Sequence, residues 1–166
     1  KTGSRAELRR KKGSIPACDV HPHRLMLTQA AMKRLGVSIC ALEERDAAVY
    51  DGSLEDSFDY VLADVPCSGL GIIGRKSDIK HNIKKDKLTE LTKLQWDIVK
   101  SCWDYVKVGG TLMYSTCTVN KAENEQMVKR ICAELPFEPV DITDVLPKYI
   151  TENDKYNIKD TAKKGY

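Results

Sequence analysis

Two cysteines, fifty residues apart, sit in short polar loops of a kind that can present a thiol to a ligand. The first loop reads Asp64-Val65-Pro66-Cys67-Ser68-Gly69-Leu70-Gly71. Its glycines let backbone approach a bound group closely, and Pro66 stiffens the segment that carries Cys67. The second reads Tyr114-Ser115-Thr116-Cys117-Thr118. A lone cysteine in either place is most often a small buried residue. A pair, flanked by hydroxyl side chains and by Asp64, suits covalent chemistry in which a thiolate adds to an electron-poor carbon and later leaves. A free thiol has a pKa near ~8.5, so the attacking sulfur needs surroundings that favour its ionised form.

Both loops follow apolar runs that read as strands, residues 58–64 and 111–115. Residues 14–19 are a third candidate, weakened by Pro16, and residues 37–42 and 137–142 are two more. Pro22 suits the first turn of a helix with Leu25, Met26, Met32 and Leu35 as its apolar face and Gly36 as its stop. Leu88, Leu91, Leu94, Ile98, Cys102 and Val106 recur at helical steps, which predicts a long helix over 86–107, ended by Gly109-Gly110. Asn120 and Glu123 have capping-box spacing ahead of a helix bearing Met127, Val128, Ile131 and Leu135.

Strands alternating with helices imply an α/β domain with a largely parallel sheet. Ligands of such sheets bind beyond the carboxyl ends of the strands. That rule selects Asp19, the segment around Asp46, residues 64–71 and residues 116–118. Carboxylates after three successive strands are suitable partners for sugar hydroxyls and an adenine amino group, although a single one is more often a helix cap or a solvated loop.

At these residues the chain resembles the RNA cytosine-5 methyltransferases, which use S-adenosylmethionine. Its D-V-P-C-S-G and S-T-C-T loops are similar to that family's D-A-P-C-S-G and S-T-C-T signatures, at similar separation. Residues 69–80 (G-L-G-I-I-G-R-K-S-D-I-K) further resemble the bacterial branch that acts on small-subunit ribosomal RNA, the Sun/Fmu type. The resemblance runs from Lys1 to about Ile142. It implies a Rossmann-like methyltransferase sheet and a covalent adduct at cytosine carbon 6, with Cys117 as nucleophile and Cys67 assisting product release. Cys67 stays open as the alternative nucleophile, because the DNA branch attacks from a Pro-Cys loop. The resemblance also implies that Asp64 hydrogen-bonds the cytosine near the methionine end of the cofactor, that Asp19 binds the ribose hydroxyls, and that Asp46 binds the adenine amino group. Lys1-Thr2 resembles the end of the family's cofactor-cradling A-A-P-G-G-K-T loop, which adds Lys1 to the cofactor-binding set. The expected reading is therefore one partial catalytic domain over 1–166, with its core at 13–142 and a tail at 148–166 of no readable role. It lacks the family's first strand and last strand, and these residues alone are expected to bind the cofactor weakly. Transfer RNA or large-subunit ribosomal RNA as substrate, and a non-catalytic RNA-binding module of the same fold, are the alternatives.

The rest of the composition agrees. The 166 residues are 42% hydrophobic and 31% charged, enough to bury one core and incompatible with wholesale disorder or a collagen-like repeat. No apolar run is long enough to span a bilayer, and none reads as an export signal. The six cysteines and three histidines lack zinc-finger spacing, so no metal is expected, and the thiols are expected to be reduced in the cytoplasm. The net charge is only +3, but basic residues cluster at 1–12 and again at 75–93, as a phosphate-binding surface would require. His21 and His23 read as cap or solvent-facing residues, and Trp96 and Trp103 as core or boundary residues rather than base-stacking platforms.

Overall fold

The computed structural model describes residues 13–75, 85–149 and 157–165. Lys1, the basic run 1–12 and the basic residues of 76–84 lie outside the described residues. The chain divides into two compact units, Lys1–Gly52 and Ser53–Tyr166.

In the first unit, β1 (Ile15–Asp19) pairs in parallel with β2 (Cys40–Glu44), from Ile15 opposite Cys40 to Asp19 opposite Glu44. In a parallel pair only alternate residues of a strand bond a given neighbour. The Ile15 amide donates to Ile39 and the Asp19 carbonyl accepts from Arg45. Pro16, between them, faces the other way, so its missing N–H removes no bond from this ladder. The second strand starts later than the predicted 37–42, because Gly36 first turns the chain with φ of +59° and its amide donates to Lys33. Between the strands, α1 (Pro22–Arg34) begins on Pro22 as predicted. Its inward stripe is Leu25, Thr28, Ala31, Met32 and Leu35. Met26, expected on that face, is 64% exposed, because at about 100° per residue it falls on the far side of Leu25 from Thr28, Ala31 and Met32.

In the second unit, β3 (Phe58–Asp64) pairs in parallel with β4 (Val106–Ser115), from Tyr60 opposite Thr111 to Asp64 opposite Ser115. The helix α2 (Lys85–Cys102) stops earlier than the predicted 107. A tight turn at Trp103–Tyr105 follows, where the Asp104 and Tyr105 carbonyls accept from the amides of Asp56 and Ser57. The start of β3 thus captures the chain, and Val106 is already extended. Gly109 and Gly110 do not end a helix; they form an irregularity inside β4, between Phe58–Val106 and Tyr60–Thr111 pairing. Leu94, placed on the buried stripe by spacing, is partly exposed, while Gln95 is completely buried. Trp96 and Val99 of α2 pack with Met127 and Ile131 of α3 (Glu125–Glu134), and Leu112, Tyr114, Leu135 and Phe137 close around them. The Arg130 guanidinium covers the Trp96 ring at 3.9 Å.

Residues 137–142, predicted as a strand, form none: among the described residues no strand pairs with them, and a helical turn at Thr143–Val145 follows. Within the tail, α4 (Ile158–Ala162) returns to this segment, with the Ile142 amide donating to the Ala162 carbonyl. No helix among the described residues is long and apolar enough to cross a membrane.

A Cβ added at Gly110 would lie 2.8 Å from the Lys107 carbonyl oxygen and 2.9 Å from that of Asp59, whereas one at Gly109 meets nothing within 4 Å. Gly110→Ala is therefore expected to cost about 1–3 kcal/mol by forcing backbone apart. Gly109→Ala should cost about 1 kcal/mol, from its left-handed φ alone. Urea unfolding of both variants checks the order.

Candidate active site

Strands β3 and β4 end side by side, with Asp64 opposite Ser115, and the Val65 amide extends the ladder by donating to the Ser115 carbonyl at 3.1 Å. Both cysteine loops therefore leave the sheet at the same carboxyl rim. Cys67 follows three residues after Asp64, and Cys117 two after Ser115. Their sulfurs lie 3.0 Å apart, one thiol donating to the other, and the Cys117 amide donates to the Cys67 sulfur at 3.1 Å. Cys117 is exposed and Cys67 half-buried, so the first faces an incoming group more openly.

The first loop turns at Gly69, whose φ is +72°, into a short helical turn at Leu70–Ile72. That turn brings Gly71 against the second loop, where its amide donates to the Cys117 carbonyl at 3.1 Å. A Cβ there would stand 2.9 Å from that same oxygen. The absence of a side chain at residue 71 thus lets the two loops close on each other.

Beneath the thiols is a carboxylate that sequence reasoning assigned elsewhere. Glu123 is fully buried. It accepts from the Ser68 amide at 2.8 Å, the Ser68 hydroxyl at 2.5 Å, the Thr118 hydroxyl at 3.1 Å and Gln95 Nε2 at 3.0 Å. Gln95 Nε2 also donates to the Pro66 carbonyl at 2.9 Å. The Tyr114 hydroxyl donates to the Glu123 backbone carbonyl at 2.8 Å. Asn124 adds a second tie, with its Nδ2 donating to the Thr118 carbonyl at 2.7 Å and its Oδ1 accepting from the Thr116 hydroxyl.

A buried carboxylate is tolerable only when its oxygens are satisfied. Burial by itself pushes the Glu123 carboxyl up, but the donors from Ser68, Gln95 and Thr118 outweigh it and hold the group below its ordinary value. Burial, then the nearby charges of Glu123 and Cys67, push the Tyr114 phenol well up, so that it remains an O–H donor.

The predicted capping box at Asn120 and Glu123 is only half formed. Asn120 caps the turn at Lys121–Glu123 through the Ala122 amide, but the Asn120 amide donates to Thr118 and Glu123 is drawn into the site. Glu123, Asn124 and Gln95 were thus missed as site residues. For Gln95 a signal existed: it falls on the helical stripe with Leu88, Leu91 and Ile98, where an amide on an apolar face needs a buried partner.

The remaining predicted residues are placed as follows. Asp64 is the exposed last residue of β3, on the rim that bears both thiols. Asp19 ends β1, with its Oδ1 accepting from the His21 amide at 2.9 Å and its Oδ2 3.7 Å from Arg24. Asp46 lies two residues past β2 and accepts from the Ala48 amide at 2.9 Å. Arg45, between Glu44 and Asp46, bonds the Asp19 carbonyl through its amide, so these two carboxylates stand at one end of the first unit's ladder. Each thus does the local turn-holding that a lone acidic residue commonly does, and each has a second oxygen that this bond does not use. The His21 and His23 rings lie 5.5 Å apart beside Pro22, with the His21 amide held by Asp19.

A family model described as 16S rRNA methyltransferase RsmB/F matches residues 1–160. The chain is 41% identical over 136 residues to a Bacillus subtilis protein named probable ribosomal RNA small subunit methyltransferase B, covering 81% of this chain and 30% of that one. It is 34% identical over 157 residues to ribosomal RNA small subunit methyltransferase F of Aliivibrio salmonicida, covering 92% and 33% respectively. The crystal structure of a methyltransferase homolog protein from Pyrococcus horikoshii superposes with a TM-score of 0.71 at 30% identity, covering 83% of this chain and 42% of that one. The chain thus spans about a third of the length of the curated relatives it matches. The expected parallel α/β architecture is the one found, over part of a Rossmann-like sheet.

Because folded Glu123 holds its proton less tightly than unfolded Glu123, its contribution to stability is complete above the ordinary value of 4.5 and is lost as pH falls through the lowered folded value. Glu123→Gln should therefore be less stable than the parent at neutral pH, and the gap should narrow below pH 4.5. Urea titrations across pH 3 to 7 (about that range) read the difference.

Proposed function

Since the chain belongs to the 16S rRNA methyltransferase RsmB/F family, we propose that it carries the thiol machinery of an enzyme that methylates carbon 5 of a cytosine in small-subunit ribosomal RNA. The observation that carries this reading is the pair of cysteine sulfurs 3.0 Å apart at one sheet rim. A single buried thiol would fit many proteins; two facing thiols, one of them exposed, suit a reaction with an addition and an elimination.

Carbon 5 of cytosine is a weak nucleophile. Cys117, as the thiolate, adds through Sγ to carbon 6, which makes carbon 5 electron-rich. Asp64, on the same rim, would act as the carboxylic acid, donating its O–H to ring nitrogen 3 and so offsetting the negative charge that develops there. S-adenosylmethionine supplies the electrophilic methyl group. The carbon-5 proton then leaves to a base, the carbon 6–sulfur bond breaks, and Cys67 assists that release from its place beside Cys117. A base in a helical stack cannot reach two loops at a sheet rim, so the target cytosine enters unstacked.

The acidic residues after the strands suit the cofactor as hydrogen-bond acceptors. Asp19 would hold the ribose hydroxyls and Asp46 the adenine amino group, each accepting through the oxygen its local turn leaves; Asp64 and Lys1 join the cofactor-binding set on the family resemblance alone. The same reading puts the enzyme in the cytoplasm, a reducing setting in which a working thiol pair stays reduced.

In the intact enzyme, Cys117→Ala is expected to abolish methylation, and Cys67→Ala to accumulate a covalent RNA–protein adduct on denaturing gels with labelled RNA. An adduct that persists in Cys117→Ala and vanishes in Cys67→Ala reverses the two roles. Transfer of label to large-subunit or transfer RNA in preference to small-subunit RNA moves the substrate. RNA binding without any methyl transfer by the intact protein leaves a binding module.

A further inference from the structure

Each residue that flanks one of the two reactive thiols is tied to one of three side chains outside the loops. Pro66, before Cys67, has its carbonyl bonded by Gln95, and Ser68, after Cys67, has its amide and hydroxyl bonded by Glu123. Thr116, before Cys117, donates its hydroxyl to Asn124, and Thr118, after Cys117, donates its hydroxyl to Glu123 and its carbonyl is bonded by Asn124. Gln95 and Glu123 are themselves joined at 3.0 Å, and the Ser68 and Thr118 hydroxyls touch at 2.8 Å. The three side chains come from the middle of α2 and the turn that opens α3, both anchored in the apolar core, so the tie has a rigid base.

We infer that Glu123, together with Gln95 and Asn124, forms a positioning clamp that sets the separation of the Cys67 and Cys117 sulfurs by gripping all four flanking residues. The carboxylate is the centre of it, because it alone accepts from both loops. No member of the clamp contacts a sulfur in the bonds described, so its role is geometric. The inference rests on the reading that both thiols serve one reaction, and it adds what holds them in register for it. Reacting groups displaced by about 1 Å lose about a hundredfold in rate, so a clamp of this kind acts on kcat more than on KM.

Phenylarsine oxide tests the separation without any methyl transfer. Two thiols displace its oxygen: two arsenic–sulfur bonds form, and the oxygen leaves with the two thiol protons as water, arsenic remaining trivalent. The intact protein should capture it about a hundredfold more tightly than Cys67→Ala or Cys117→Ala, because the second thiol is already in place. Glu123→Gln should lose about tenfold of that capture, while alkylation of Cys117 by iodoacetamide, which needs one thiol only, changes by less than about twofold. Methylation by the same variant should fall in kcat by about tenfold or more with KM little changed. Ser68→Ala and Thr118→Val, each removing one donor from one loop, serve in case Glu123→Gln does not fold as judged by thermal melting. Capture no tighter than in the single-cysteine variants overturns the inference, and so does unchanged capture in every variant that folds. A parent protein that captures the arsenical through the clamp but methylates no RNA overturns the proposed function and leaves the clamp standing.

Discussion

The second unit depends on one buried negative charge. Glu123 is out of contact with water, and an unsatisfied carboxylate in that position costs many times the stability of an average side-chain contact. Its donors convert that liability into a joint. Hydrogen bonds to a charged group are each worth about 1.5–3 kcal/mol, and here they come from two loops that nothing in their local sequence obliges to meet. A hydrophobic residue at 123 would fill the volume but bond neither loop. The networked carboxylate therefore specifies a geometry as well as a packing, which is the use to which buried polar groups are best suited.

Glycine completes what the carboxylate begins. The amide of Gly71 bonds the Cys117 carbonyl, and the missing Cβ leaves room for that approach. At the other end of the same strand pair, Gly110 admits the backbone of Asp59. The two close approaches lie at opposite ends of the β3–β4 ladder, so the pair is brought together tightly both where β3 begins and where the cysteine loops leave the sheet. Its register, set between them, puts Asp64 beside Ser115 and both thiols on one rim.

The thiol loops were legible in the sequence because the signal for them is local: a cysteine, its polar flanks and the apolar run before it. The strands that carry them were legible for the same reason. What could not be read were the features decided by partners far along the chain. Gly109-Gly110 reads as a helix stop, but the helix had ended at Cys102, where the Asp104 and Tyr105 carbonyls met amides from residues 56 and 57. Asn120 and Glu123 read as a capping box, and Asn120 does cap, but Glu123 found donors 55 and 28 residues away in Ser68 and Gln95. Residues 137–142 carry strand-like composition, but among the described residues no strand pairs with them. In the first two cases the local rule was sound and a non-local hydrogen bond overrode it.

The order in which the clamp's parts occur along the chain has a consequence for its making. Gln95 and both cysteines precede Glu123 and Asn124, so a ribosome has delivered both thiols and one of the three clamping side chains before it delivers the other two. Contacts of this sequence separation close late, after local helices and turns have formed. The hydrogen bonds that join the two cysteine loops through Glu123 are thus complete only once the turn that opens α3 docks onto the core.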